Sequence, residues 1–138
     1  MIDYFDALSA WRKLILETTS ELEERQLNQI PAGRSNNIIW NMGHLVTVSE
    51  NILYKHVLAQ RPQHGFELSQ FAKGTRPEQF IDENQILLIR NALRETFPAF
   101  KMEHGSLVIS EERLQFLMLH EHLHYQAIVA LIRQLTTK

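Results

Sequence analysis

Seven histidines and no cysteine decide what chemistry this chain can do. Metal binding must run through His, Asp or Glu, and thiol chemistry needs a thiol from outside. Three of the histidines lie in His120-Glu-His-Leu-His124. On a helix, His120 and His124 stand about 40° apart on one face and can direct imidazole nitrogens at one ion, whereas His122 points the opposite way. His122 is therefore expected at the surface. Arg113, Phe116, Leu117, Ala127 and Leu131 share the His120 direction, so that face is largely apolar. Taken alone, such a pair is more often two core or boundary histidines bonded to their neighbours. His44 supplies a third candidate, because it sits inside a strong helical pattern among Ile38, Trp40, Met42, Leu45 and Val48, where a lone imidazole is awkward to desolvate. One histidine from that helix and two from the last make a three-nitrogen site with open coordination positions, the catalytic arrangement for zinc and one that also suits nickel, copper or iron.

The string His120-Glu121-x-x-His124 also matches the zinc-peptidase pattern, in which the glutamate is the general base. The extended form of that motif asks for Gly at 127 and His at 130, where this chain has Ala127 and Ala130, and no strand is evident to align a peptide. A small zinc peptidase is thus the weakest of three readings. Glu121 is expected as a surface or boundary carboxylate, with a base or ligand-orienting role as the alternative. Asn37 and Asn41 fall near the His44 face and either orient a ligand or bound water, or are helix-start polar residues with Asn37 near the cap. Trp40, one turn before His44, packs the core and can also wall a pocket. Arg113 either meets an anionic substrate group or is a solvated or salt-bridged arginine at a helix start. His56, His64 and His104 have no matching spacing and are assigned nothing.

Four helices must position these residues. In the first, Asp3 is the cap and Tyr4, Leu8, Trp11, Ile15 and Leu22 form the apolar stripe, with an end expected near Asn28 because Pro31 and Gly33 follow. The second is expected to start after Ser35 or Asn36 and to run to about Gln60. Residues 61–80 hold Pro62, Gly65, Gly74 and Pro77 with no sustained period, a long connection that is functional or a crossover. Asp82 with Gln85 resembles a capping box for a third helix carrying Ile86, Ile89, Leu93 and Phe97, ended or kinked by Pro98. Ser110 caps the fourth, with Glu111 and Glu112 in its first turn. Leu107-Val108-Ile109 is the only β-like run. The pattern predicts an all-α four-helix bundle with a long crossover between helices two and three, one domain over residues 1–138.

A chain of 138 residues with 44% hydrophobic and 22% charged residues buries enough core to fold without a disulfide or structural metal, so a metal here would be functional. Fourteen basic against sixteen acidic side chains give a net charge of −2, which supplies no field for steering onto nucleic acid or anionic lipid. The acidic start Met-Ile-Asp-Tyr-Phe-Asp is unlike a signal peptide, and no apolar run approaches a membrane span. A cytoplasmic protein with a small-molecule substrate, and with neither nucleic acid nor membrane as partner, is expected.

The segment Asn37-Ile-Ile-Trp-Asn-Met-Gly-His44-Leu, the stretch Phe71-Ala-Lys-Gly-Thr-Arg-Pro77 and the terminal His120-x-x-x-His124 together resemble the DinB-like superfamily over almost the whole chain. The resemblance implies a four-helix bundle, often a homodimer, with His44, His120 and His124 as ligands of a divalent metal such as zinc or nickel. It also implies a thiol S-transferase or a hydrolase, since relatives include bacillithiol- and mycothiol-dependent transferases, a mycothiol-dependent maleylpyruvate isomerase and proteins described as metal-dependent hydrolases. A low-molecular-weight thiol would then be the cosubstrate, presented to an electrophile in the cleft under the 61–80 loop. Many relatives follow the last ligand with one residue and then Gly-Gln; here Tyr125, Gln126 and Ala127 follow His124, which weakens transfer of a specific substrate. A non-catalytic, dimeric helical-bundle binding protein is the alternative to an enzyme.

Overall fold

The computed structural model describes residues 3–54 and 61–136. Five α-helices are present among them, α1 Tyr4–Thr18, α2 Glu24–Asn28, α3 Ile38–Tyr54, α4 Glu83–His104 and α5 Glu111–Thr136, with a single 3-10 turn at Leu68–Phe71 and no strand. Four of them form the bundle, and α2 is a short turn on the way from α1 to α3. Both α1 and α3 pack against α4 and α5, which leaves α1 and α3 diagonally opposed. Lys101 near the end of α4 reaches Asp3 and Asp6 at the start of α1, and Tyr4 reaches Glu111 at the start of α5. The helices α1 and α5 therefore run one way and α3 and α4 the other. Consecutive parallel helices cannot be joined by a tight turn, which is why a long connection separates α3 from α4.

Three of the expected caps do their work. Asp3 accepts from the backbone N–H groups of Phe5 and Asp6, Asp82 from that of Gln85, and Ser110 Oγ from that of Arg113. The cap of α3 is Asn37, one residue past the two expected ones, and its Oδ1 accepts from the N–H of Trp40 at 2.8 Å.

The first helix does not reach Asn28. It stops at Thr18, because the Thr19 and Ser20 hydroxyls turn back onto the carbonyls of Ile15 and Glu17, and a new helix starts where the Gln26 side chain accepts from the N–H of Glu23. Pro98 does not end α4, which continues to His104. The hydrogen bond lost at proline is offset by Phe97 and Phe100, both fully buried on either side of it. The expected end of the second helix at Gln60 lies outside the described residues, as does His56. The β-like run 107–109 is a connection in which Val108 is exposed.

The 61–80 connection is a strap laid antiparallel along α3. Arg61 bonds to Asn51, His64 to Glu50, the Leu68 carbonyl to Thr47, the Phe71 carbonyl to His44 and Thr75 to Trp40. Covered by the strap outside and by α4 and α5 inside, α3 is buried nearly all round, as its apolar composition requires. That is how a polar residue such as His44 comes to be 5% exposed.

Candidate metal centre

The bundle brings His44 of α3 together with His120 and His124 of α5, and one nitrogen from each lies within 4.8 Å of the others. Ring centroids are 5.1 Å apart for His44 and His120, 4.8 Å for His44 and His124, and 4.4 Å for His120 and His124. The i, i+4 spacing on α5 supplies one edge of the triangle. The antiparallel packing of α3 on α5 supplies the other two.

Hydrogen bonds fix which nitrogens face inward. His44 Nδ1 lies 2.7 Å from the Phe71 carbonyl oxygen, a pure acceptor, so Nδ1 carries the proton and Nε2 is left bare. His124 Nδ1 lies 2.8 Å from Asn41 Oδ1. The Asn41 amide cannot be reversed without loss, because its Nδ2 donates to the Asn37 carbonyl at 2.8 Å; His124 is thus also a donor at Nδ1 with a bare Nε2. The third imidazole differs, since His120 Nδ1 is buried with no hydrogen-bond partner among the described residues. Two oriented imidazoles with bare nitrogens beside one with an orphaned buried nitrogen form a donor set that a borderline-soft divalent cation satisfies.

The electrostatics agree with that donor set. Burial lowers His120 to about 3, with His124, His44 and Arg12 adding to the shift. His124 is lowered to about 4, by burial first and then by His44. Burial lowers His44 too, against the opposing effect of its bond to Phe71. All three are neutral, ligand-competent imidazoles at pH 7. In the metal-free protein a folded value below the unfolded one near 6.5 means that the unfolded chain binds more protons in between. Stability is therefore fully present above pH 6.5 and falls as pH drops towards 4. Thermal melts of the metal-free protein from pH 7 to pH 4 should show that decline, and the decline should be shallower in His120→Leu; equal slopes would remove the histidines as its cause.

The other expected site residues divide. Trp40 stacks on His44 with centroids 4.6 Å apart and planes 13° from parallel, and its Nε1 donates to Thr75, so it walls the centre as well as packing. Asn41 orients His124. Among the described residues Asn37 has no hydrogen bond to the three histidines, and it is the helix cap, with Nδ2 on the Asn28 carbonyl. Arg113 is half-buried, and its guanidinium has no ion pair among the described residues. His122 is not a plain surface residue, since it packs edge-on against Trp11 at 5.2 Å. A cavity of about 440 Å³ opens between the start of α3 and the strap, lined by Trp40, Phe71, Thr75 and Arg76 among others. It shares Trp40 and Phe71 with the contacts of His44, but none of the three histidines lines it.

Glu121 corrects the expectation of a surface or boundary carboxylate. It is fully buried, and Arg12 holds both of its oxygens, Nε to Oε1 at 2.5 Å and an Nη to Oε2 at 3.1 Å. Burial raises its carboxyl above the ordinary range against the pull of Arg12. A peptidase base needs an oxygen free to face the metal site, and this carboxylate has none free. The sequence signal for its partner was an arginine inside the Leu8–Ile15 apolar stripe. Gly43 and the Phe71 carbonyl are the other missed contributors. A Cβ on Gly43 would lie 2.5 Å from the Phe71 ring, so only glycine admits the strap this close to His44. A glycine interrupting a helical pattern just before a candidate ligand was its only trace.

Neither a curated protein nor a solved structure matches this chain. The family model of the DinB superfamily matches residues 7–128, a span that includes all three histidines, Arg12, Glu121 and the strap, and the chain therefore belongs to the DinB superfamily.

Proposed function

We propose that this chain is a divalent-metal-dependent enzyme of the thiol S-transferase or hydrolase type acting on a small molecule. The observation that carries the reading is the convergence of three neutral imidazoles, two of them with hydrogen-bonded Nδ1 and bare Nε2. His44, His120 and His124 would hold a zinc or nickel ion, whose Lewis acidity would make a thiol or a water acidic enough to serve as nucleophile near neutral pH.

The protein's own groups do the rest. Phe71 and Asn41 hold two ligand rings in one tautomer, and Trp40 and Phe116, stacked on His44 and His120, shield the ring faces from water. With no cysteine in the chain, a transferred sulfur must come from a low-molecular-weight thiol. The exposed Phe116, Leu119 and Leu123 form an apolar stripe on α5 that suits pairing of two copies, and we read the protein as a cytoplasmic homodimer.

The test is metal removal. Untagged protein loaded with zinc or nickel should carry about one ion per chain and turn over a small thiol with an electrophilic halide or epoxide, or hydrolyse a small ester or amide. Chelation should abolish that turnover and readdition of the metal restore it. A loaded protein inert towards all of these pairs would leave the non-catalytic binding module in its place.

A further inference from the structure

The strap does more than connect α3 to α4. One of its contacts differs in kind from the others. Glu50 on α3 is fully buried, its Oε2 pairs with His64 Nε2 of the strap, and its Oε1 has no partner among the described residues. The neighbouring contacts from Arg61, Leu68 and Thr75 are single hydrogen bonds that involve no carboxylate. From His64 a line of rings leads to the metal centre. His64 stacks on Phe66 with centroids 5.7 Å apart, Phe66 meets Phe71 edge-on at 6.0 Å, and the Phe71 ring abuts Gly43 while its carbonyl accepts from His44 Nδ1.

We propose that Glu50 and His64 are positioning residues for the metal centre: the pairing of buried Glu50 with His64 clamps the strap, and Phe66 transmits that register to Phe71, whose carbonyl holds His44 in the ligating tautomer. The pair stands six positions from His44, about 9 Å along the helix axis, and touches none of the three ligand histidines. The physical reason is directional. A backbone carbonyl fixes a tautomer only while its own segment is held in place, and the Phe71 segment carries no regular secondary structure beyond one 3-10 turn. A buried carboxylate whose one partner among the described residues is a strap imidazole sets that segment's register more firmly than hydrogen bonds without a buried carboxylate do.

The affinity part of this inference rests on the proposed metal reading; the tautomer part does not. The test replaces the pair with Glu50→Leu and His64→Leu together, which leaves no unpaired buried charge. A second variant, Phe66→Ala, keeps the pair and breaks its link to Phe71. His64→Gln, which retains a side-chain donor for Glu50, is the conservative control. Long-range proton–nitrogen spectra of the metal-free protein at neutral pH should show His44 protonated at Nδ1 alone in the parent and in His64→Gln, and a tautomer mixture in the other two. Trypsin should cut faster after Lys73, exposed on the strap, with helix content unchanged. Zinc affinity should fall by roughly 10- to 100-fold, the range for loss of an outer-shell partner.

A His44 tautomer unchanged in every folded variant would overturn the proposal. A tautomer that loosens as expected in a protein whose parent never binds zinc or nickel would support the clamp and overturn the metal reading instead.

Discussion

Arg12→Met should lower the unfolding free energy by about 3–5 kcal/mol, the usual penalty for leaving one member of a buried ion pair without its partner. Arg12 is 1% exposed and sits where all four bundle helices meet. From α1 it reaches the Glu121 carboxylate on α5, the Leu93 carbonyl on α4, and the Leu45 carbonyl and Ser49 hydroxyl on α3. Its guanidinium also lies over the Phe97 ring, 4.5 Å from the centroid, which adds a cation–π contact in a desolvated place. Removing it strands a buried carboxylate and takes one hydrogen bond from each of two buried helix carbonyls.

The companion variant makes the attribution specific. Arg12→Met with Glu121→Leu removes both charges, and exchange of a buried pair for apolar side chains of similar volume is often neutral. The double variant should recover most of the lost stability in denaturant titrations of the metal-free protein. It should also still bind zinc, because neither residue is among the three proposed ligands. If the single variant costs under about 1 kcal/mol, the range of a solvated surface pair, the bonding at the centre of the bundle is not what holds it. If the double variant folds but loses zinc, Glu121 serves the metal directly.

What the sequence discloses follows from how local the cause is. The three histidines are legible because the 3.6-residue period is local: His120 and His124 are one turn apart, and the apolar neighbours of His44 mark it as inward-facing. Asp3, Asp82 and Ser110 announce helix starts through side chains acting on backbone two or three residues away. The Arg12–Glu121 pair joins positions 109 apart in the chain, and no local period carries that; only an arginine among apolar neighbours hints at it. The strap is opaque for a related reason. Two of its contacts with α3 are made by backbone carbonyls, of Leu68 and Phe71, and a carbonyl has the same identity whatever residue bears it. Thr19 and Ser20 end α1 through hydroxyls that fold back on the helix, an effect that their residue types permit but do not require.

The second large effect concerns the proposed ligand His44 and the glycine beside it. His44→Ala should take zinc or nickel occupancy from about one ion per chain to none in elemental analysis, because two imidazoles on one helix face leave a site with too few protein ligands for a retained ion. The helical content should survive, since the residue lost is a neutral imidazole whose removal frees only the Phe71 carbonyl. Gly43→Ala poses the sharper question, because the atoms nearest to its added methyl belong to the strap and not to a histidine. The added methyl would stand 2.5 to 2.8 Å from three atoms of the Phe71 ring, well inside contact distance, so the ring must retreat and carry its carbonyl away from His44 Nδ1. Alanine is the better helix former by about 1 kcal/mol, so helix propensity favours the substitution and any loss must come from the strap. Zinc affinity should fall by roughly 10- to 100-fold, and the His44 ring should lose its single tautomer. A Gly43→Ala protein that binds zinc as tightly as the parent would mean that His44 is held by its stacking on Trp40 and by packing against α5, with the Phe71 carbonyl incidental. Full occupancy in His44→Ala would instead move the metal off α3 altogether and leave His120 and His124 to hold it with groups from elsewhere on the chain or from a second copy.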